Sequence, residues 1–251
     1  MEILRSRLLS RFPHGFTTRA GGVSPAPWDS LNLSGFVGDD PARVAENWRR
    51  LEAATGLGFA RVRQVHGTRV VRLATATEPV DEADAVISTA AGLAACVSVA
   101  DCVPVLLADP GSGAVAAVHA GWRGTIARVS HAAVRALAGL VGGEPGRLLA
   151  AIGPSIGPCC YQVSADLAAR FAREIGPVVR GLPGSEGLDL WEANRRLLVE
   201  AGLRPDHVEV VGRCTACDGG SFFSHRRDRG RTGRHTAFIA PPPPTGEGPL
   251  P

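Results

Sequence analysis

The sequence has no lysine, so all 27 of its basic residues are arginines. A guanidinium is a planar fork of donors that suits carboxylate and phosphate groups, so each cation of this chain is adapted to such partners. The formal net charge is nevertheless only +3 over 251 residues, which is too small for a broad electrostatic surface. We therefore do not expect nucleic acid among the partners.

Long apolar runs are absent as well. No segment approaches the roughly 18 apolar residues of a membrane-spanning helix, and residues 1–13 lack the apolar stretch and cleavage site of a signal peptide. We expect a cytoplasmic protein with no membrane partner. In that compartment its six cysteines are expected to be thiols or metal ligands, not disulfides.

Two classes of redox site are disfavoured by missing motifs. No Gly-x-Gly-x-x-Gly turn follows a predicted strand, which argues against a dinucleotide site. The seven histidines include no His-x-His pair, and the only methionine is Met1, so the ligands of a multicopper oxidase are scarce.

The residues that are present describe an ordinary globular chain, with 45% hydrophobic and 20% charged residues. Helix signals begin at Asp40, Thr125, Ser164 and Asp189. Short β-like runs lie between them: Val70 to Leu73, Ala85 to Ile87, Ala94 to Val99, Val103 to Ala108, Ala114 to Val118, Leu148 to Ile152, Val208 to Val211 and Thr236 to Ile239. This mixture predicts a single layered α/β domain, of mixed α+β type, with central mixed sheets flanked by helices.

A Pro-rich tail follows the predicted domain. From Ala240 onward the chain reads as a polyproline-like segment with little to bury. We assign residues 1–239 to one folded domain and predict that residues 240–251 are disordered.

Three candidate metal ligands stand at the ends or edges of predicted strands. His66, Cys102 and His119 are the residue types of a catalytic zinc site, in which three protein ligands leave one position open. Their separations match no local zinc signature, so spacing alone favours a core cysteine and two unrelated histidines. Strand alternation predicts that Gln64 and His66 share a face and that Asp101 points away from Cys102.

The segment after His119 is the best anion candidate. Gly121 leads through Arg123 and Gly124 into a helix predicted to open at Thr125, and the free N–H groups of a helix start attract phosphate or carboxylate. A plain turn with a surface arginine is slightly favoured by spacing alone. Arg19 and Arg226 are likewise either surface residues or anion clamps.

Four further cysteines form two local pairs. Cys214 and Cys217 have the Cys-x-x-Cys spacing of metal or redox sites, but the chain has no second well-spaced pair. Cys159 and Cys160 are adjacent, and adjacent side chains rarely chelate one ion comfortably. We interpret all four as structural thiols.

Nine motifs in this order resemble those of one family: Thr17-Thr18-Arg19-Ala20-Gly21-Gly22-Val23-Ser24, Asn32-Leu33, Val37-Gly38-Asp39-Asp40-Pro41, Gln64-Val65-His66-Gly67, Ala100-Asp101-Cys102-Val103-Pro104, His119-Ala120-Gly121-Trp122-Arg123-Gly124-Thr125, Ile152-Gly153-Pro154-Ser155-Ile156-Gly157-Pro158-Cys159-Cys160-Tyr161, Cys214-Thr215-Ala216-Cys217 and Phe222-Phe223-Ser224-His225-Arg226-Arg227-Asp228. The chain resembles the YfiH family, long labelled a multicopper polyphenol oxidase or laccase and later described as purine nucleoside phosphorylase with adenosine deaminase activity. One departure is His225, where the family usually has tyrosine.

The resemblance implies a zinc ion, with copper as the rival metal, held by His66, Cys102 and His119. It implies purine nucleosides and phosphate as partners: phosphorolysis of adenosine, inosine and methylthioadenosine, and deamination of adenosine to inosine. The candidate substrate and phosphate residues are Arg19, Asn32, Gln64, Arg123, Gly124, Thr125 and Arg226. We expect a monomer or homodimer.

Two other functions remain open on the sequence. A copper-dependent polyphenol oxidase is one. The other is a cysteine-dependent amidase acting on peptidoglycan precursors, in which Cys102 is the nucleophile.

Overall fold

Two β-sheets pack face to face between helices in the computed structural model, which describes residues 1–76, 82–182 and 185–243. The strands in chain order are β1 Ile3–Leu4, β2 His14–Thr17, β3 Gly58–Ala60, β4 Val70–Arg72, β5 Ala85–Ser88, β6 Leu93–Val99, β7 Val103–Ala108, β8 Val115–Ala120, β9 Leu149–Ile152, β10 Gln162–Val163, β11 Val179–Leu182, β12 Ser185–Leu188, β13 Val208–Val210 and β14 His235–Ile239. The helices are α1 Pro41–Thr55, α2 Trp122–Ile126, α3 Val129–Leu140, α4 Ala165–Glu174 and α5 Leu190–Glu200. Short 3₁₀ turns occupy Pro145–Arg147 and Pro205–His207.

Both large sheets mix parallel and antiparallel pairs. One has the order β13-β9-β7-β8-β5-β4, parallel only at its two ends, and the other has the order β1-β2-β14-β6-β3, parallel only between β6 and β3. A small third sheet has the order β10-β12-β11. The predicted mixed α/β class with layered mixed sheets is confirmed.

The central strands are apolar at every position because both of their faces are covered. In β7, Val105 and Leu107 pack toward α3 and α5, whereas Leu106 faces the five-stranded sheet beside Phe16. On the far side of that sheet, α1 covers a third apolar layer through Trp48. The order of layers is therefore helix, sheet, sheet, helices.

Capping residues set three helix starts where the sequence predicts them. The side chains of Asp40, Ser164 and Asp189 accept backbone N–H groups at the starts of α1, α4 and α5. At the far end of α1, Gly56 adopts a left-handed φ of 68° and its N–H donates to Glu52.

The predicted helix start at Thr125 is wrong. The N–H of Thr125 already donates to the carbonyl of Gly121, so the helix begins at Trp122. This first helix is only five residues long, and Arg128, at a φ of 66°, separates it from α3. The free N–H groups of this helix start therefore belong to residues before Thr125.

The apolar pattern misses six strands that are short or contain polar residues, namely β1, β2, β3, β10, β11 and β12. The first two residues of the Pro-rich tail are packed, since Ala240 is buried and donates its N–H to Pro13. The rest of the predicted tail from residue 244 lies outside the described residues. Within the described part of the chain, no helix is long and apolar enough to cross a membrane.

Candidate active site

A cleft of about 830 Å³ is lined by residues of both large sheets, and it contains His66, Cys102 and His119. This size suits a small organic ligand. The turn between β6 and β7 crosses from one sheet to the other at this point and carries Cys102. His119 lies near the end of β8, and His66 lies in the loop between β3 and β4.

The three side chains converge although they are remote in sequence. One potential ligand atom from each residue lies within 4.8 Å of the others. The sulfur of Cys102 is 3.9 Å from Nε2 of His66, and the two imidazole rings meet edge to face with centroids 4.8 Å apart. Two imidazoles and a thiol in this arrangement fit a three-ligand metal centre.

His66 reaches this position through a loop, not through a strand. Its φ of 61° places it in the left-handed region, so this segment is not the predicted strand. Gln64 and His66 nevertheless both line the cleft, in line with the predicted shared face. The Gln64 amide pairs with the backbone of Ser98 on β6, with hydrogen bonds of 2.7 and 2.8 Å. That pairing anchors the loop to the five-stranded sheet.

Asp84, which the sequence analysis missed, organises the two histidines. Its carboxylate is fully buried and accepts Nδ1–H of His119 at 2.8 Å. The same carboxylate accepts the backbone N–H groups of Val65, His66 and Gly67 at 2.6 to 3.2 Å. One acid therefore orients the His119 ring, leaves its Nε2 free toward Cys102, and shapes the loop of His66. An acidic residue at the start of an apolar strand is the signal that could have found it, since a buried charge needs partners.

The electrostatics of the group favour charged side chains despite their burial. Burial by itself opposes ionisation, but the neighbouring His119 lowers the pKa of Cys102 to about 6. Burial likewise opposes protonation of His119, yet Cys102 and Asp84 raise its pKa to about 9. Burial raises and hydrogen bonds from His119 and Gly67 lower the pKa of Asp84, with a net decrease. A thiolate and an anionic carboxylate therefore flank His119.

Gly121 gives the group its room. A Cβ at this position would lie 3.0 Å from the Cys102 sulfur and 3.0 Å from Cδ2 of His66. The absence of a side chain lets the start of α2 approach both ligands closely.

Two of the predicted anion-binding arginines line the cleft, Arg123 and Arg226. The guanidinium of Arg123 lies over the Trp122 ring at 4.2 Å. That of Arg226 lies 5.0 Å from the centroid of Tyr161 and donates to the carbonyl of Gln162. Among the described residues, neither forms an ion pair with a carboxylate. Both therefore keep donors available to a ligand.

Of the other predicted substrate residues, Gln64 lines the cleft, whereas Arg19 and Asn32 do not. Arg19 binds Asp29 and the carbonyl of Gly219, so its donors are used within the protein. The buried amide of Asn32 donates to Asp39 and accepts the N–H of Arg234.

The last two residues of the predicted anion-binding segment after His119 are also inside the protein. Gly124 and Thr125 are buried, and the Thr125 hydroxyl donates to the carbonyl of Ala120. A Cβ on Gly124 would lie 3.2 Å from Val129, which explains the glycine by packing.

Arg234 and Tyr161 also line the cleft, although neither is among the site residues predicted from the sequence. The backbone N–H of Arg234 is fixed by Asn32, and its guanidinium donates to the carbonyls of Thr232 and Gly233. Burial raises the pKa of Tyr161 to about 12, with Cys102 adding to the shift. Its hydroxyl therefore stays protonated at neutral pH and can donate to a ligand.

Asp101 lies in a turn with a φ of 84°, not in a strand, so the predicted strand alternation does not apply to it. Its buried carboxylate accepts the hydroxyls of Thr215 and Ser224 and the N–H of Arg226. It therefore ties the cysteine turn to two more distant loops.

Residues 13–241 match the family described as multi-copper polyphenol oxidoreductase laccase. The chain belongs to this family. Relatives named purine nucleoside phosphorylase are similar to this chain over most of its length. It is 45% identical to a purine nucleoside phosphorylase of Deinococcus radiodurans, over 98% of this chain and 96% of that protein. It is 38% identical to purine nucleoside phosphorylase YfiH of Escherichia coli, over 89% and 91% of the two chains.

Solved structures of the family share the fold. The crystal structure of YlmD from Geobacillus stearothermophilus matches with a TM-score of 0.90 and 35% identity, covering 97% of each chain. YfiH of Bacillus licheniformis, described as a hypothetical protein, matches with a TM-score of 0.88 and 31% identity over 95% of this chain and 96% of that one. The resemblance that the motifs indicate is thereby confirmed.

Proposed function

We propose that this family member is a zinc-dependent purine nucleoside phosphorylase that also deaminates adenosine. The observation that carries the proposal is the convergence of His66, Cys102 and His119 in a cleft whose rim presents Arg123 and Arg226. The names of relatives that are 38–45% identical support the phosphorylase activity.

The donor set fits zinc. Nitrogen and thiolate ligands are those zinc prefers, and the Asp84–His119 hydrogen bond is the usual support behind a zinc-bound imidazole. When bound, the ion supplies a Lewis acid that polarises oxygen and acidifies water. His66, Cys102 and His119 would hold it.

The protein's own residues supply the binding of both substrates. Phosphorolysis requires phosphate to be held near the ribose C1′ while the base departs. Arg123 and Arg226 are the candidates for phosphate, because their planar forks match its oxygens and no described carboxylate occupies them. Trp122 and Tyr161, against which these guanidiniums lie, offer flat apolar surface to the purine.

The supporting residues fix these groups in place. Asp84 orients His119, Gln64 anchors the loop of His66, and Asn32 fixes the backbone beside Arg234. We propose that Arg19, Gly124 and Thr125 also act indirectly, by supporting the walls of the cleft. Such preorganisation matters because only correctly placed groups stabilise a transition state.

Product analysis with adenosine tests the proposal. Adenine and ribose 1-phosphate, formed only when phosphate is present, are the expected products of phosphorolysis, and inosine is that of deamination. His119→Ala should abolish both. Nucleoside turnover that is absent in the zinc-loaded protein would overturn the proposal.

Two further assays separate the rival functions. A polyphenol oxidase should oxidise phenols when copper is supplied, and a cysteine amidase should keep its activity after chelation of the metal. The structure provides few histidines for the copper ions of an oxidase. Both ring nitrogens of His14 and of His235 form hydrogen bonds with backbone groups, so they are not available as ligands. Among the described residues, only His66 and His119 join a group of potential metal ligands.

Phosphate saturation tests the arginines. Arg123→Ala and Arg226→Ala should each raise the apparent KM for phosphate at least about tenfold, since a charged hydrogen bond contributes about 1.5–3 kcal/mol. The exposed Arg173 of α4, changed to alanine, is the matched control and should leave that KM unchanged. Unchanged phosphate affinity in both cleft variants would remove them from this role.

A further inference from the structure

Four cysteines that the active site does not use form a second cluster. Cys159 and Cys160 lie in the loop after β9, and Cys214 and Cys217 lie in the loop after β13. One sulfur from each lies within 4.8 Å of the other three. All four are free thiols, two exposed and two partly buried.

The sulfur positions match the size of a tetrathiolate zinc centre. Sulfurs about 2.3 Å from zinc at the corners of a tetrahedron are about 3.8 Å apart. The Cys217 sulfur is 3.5 Å from that of Cys159 and 3.3 Å from that of Cys160. A small adjustment of these side chains would admit the ion.

The turn that carries Cys159 and Cys160 explains how adjacent cysteines converge. The N–H groups of Cys160 and Tyr161 both donate to the carbonyl of Gly157 at 3.0 Å, so the chain curls tightly here. In an extended backbone, adjacent side chains point to opposite sides, so neighbouring cysteines rarely bind one ion. In this turn both sulfurs instead reach Cys217.

The opposite loop has the local form of a zinc knuckle. Cys214 and Cys217 have Cys-x-x-Cys spacing, and the Cys214 sulfur accepts the N–H of Gly157 at 3.2 Å. The backbone groups of Ala216 and Cys217 also act on this sulfur as hydrogen-bond donors. Donors that converge on a sulfur favour its thiolate, the form that binds metal.

We propose that Cys159, Cys160, Cys214 and Cys217 bind a structural zinc ion, separate from the active-site group. Four thiolates close the coordination shell, so the ion has no position open for water or substrate, which is the mark of a structural site. It would join two loops that also meet at the bridge between Ser155 and Cys214.

The ion would also stabilise the cleft from outside. Thr215, between the two knuckle cysteines, donates its hydroxyl to Asp101 at 2.6 Å, and Asp101 immediately precedes Cys102. On the other loop, Tyr161 follows Cys160 and lines the cleft. Closing the two loops with a metal therefore fixes both a cleft wall and the turn that presents Cys102.

Zinc counting on matched variants tests the proposal. The protein is purified with zinc and desalted, and bound zinc is measured by mass spectrometry. We expect the wild type to hold one ion in each of the two groups. His66→Ala/Cys102→Ser should lose one ion and keep the other, and Cys160→Ser/Cys217→Ser should do the reverse. Cys96→Ser, outside both groups, should keep both ions.

Cobalt spectroscopy keeps the test decisive if the cluster variant does not fold. The His66→Ala/Cys102→Ser protein, loaded with cobalt, should show intense thiolate-to-metal charge-transfer bands and visible bands of tetrahedral cobalt. Chelation should remove these bands and lower the melting temperature. A variant without zinc and without cobalt–thiolate bands, or one with a disulfide among these cysteines by mass, would overturn the proposal.

Discussion

At the scale of single residues, the site depends on two that bind no substrate. Asp84 uses one carboxylate to orient His119 and to hold the loop of His66. Gly121 contributes by having no side chain where Cys102 and His66 need space. Each of them determines ligand positions, so a substitution at either should act first on metal affinity.

Asp84→Asn should weaken zinc binding about 10- to 100-fold, the usual effect of losing the acid behind a ligating histidine. The amide has a weaker acceptor for His119 and places a donor among backbone N–H groups. Competition with a chelator measures the affinity. Asp109→Asn is the control, because Asp109 is equally buried but pairs with Arg147 away from the site. Equal zinc affinity in the two variants would contradict the role of Asp84.

Gly121→Ala should lower both zinc affinity and nucleoside turnover, because its Cβ would press on the Cys102 sulfur at 3.0 Å. The matched control is Gly139→Ala in α3, where a Cβ meets nothing within 4 Å. That change should leave zinc binding intact and raise stability by about 0.5–1 kcal/mol, since alanine is the better helix former. If both variants bind zinc like the wild type, the close approach at Gly121 is unimportant.

At the scale of elements, a buried polar network fixes α2, which carries Arg123. The amide of Asn194 on α5 donates to the Thr125 hydroxyl on α2 at 3.1 Å, and the hydroxyl of Ser130 on α3 donates to Asn194 at 2.8 Å. All three side chains are buried. A five-residue helix has little stability of its own, so these bonds locate it against its neighbours.

Asn194→Ala should lower the free energy of unfolding by about 2–3 kcal/mol, because it leaves the buried Ser130 hydroxyl without its acceptor. Urea denaturation measures the loss. Arg195→Ala, one residue along α5, is the control: it removes only a surface ion pair with Glu192 and should cost about 1 kcal/mol or less. Similar losses in the two variants would show that the network contributes nothing special.

At the scale of the whole molecule, two buried histidines make the fold sensitive to acid. His235 lies between the backbone of Phe223 and that of Val99, and burial lowers its pKa to about 3. His14 contacts the backbone of Ser6 and Phe12, and burial lowers its pKa as well. Both rings are neutral in the folded protein at neutral pH.

The free energy of unfolding should therefore fall as the pH drops below about 6.5, where these histidines bind protons only when unfolded. For His235 the loss continues to about pH 3, at about 1.4 kcal/mol per pH unit. Denaturation across this pH range should show that the free energy of unfolding changes less steeply with pH in His235→Gln than in the wild type. His131→Gln controls for removing an imidazole elsewhere. An unchanged slope in His235→Gln would contradict the assignment.

The local features of this protein could be predicted from residues that are close in sequence. The caps of α1, α4 and α5 follow from Asp40, Ser164 and Asp189, and the central strands follow from apolar runs, because both depend on residues near in sequence. Ordered motifs also indicated the family. Spacing alone did not predict that His66, Cys102 and His119 share a site, and it indicated no role for Asp84 or Arg234. It predicted structural thiols, but no shared site, for the four clustered cysteines. These points depend on the tertiary structure, because side chains on separate loops meet only after two sheets have packed and their connecting turns have closed.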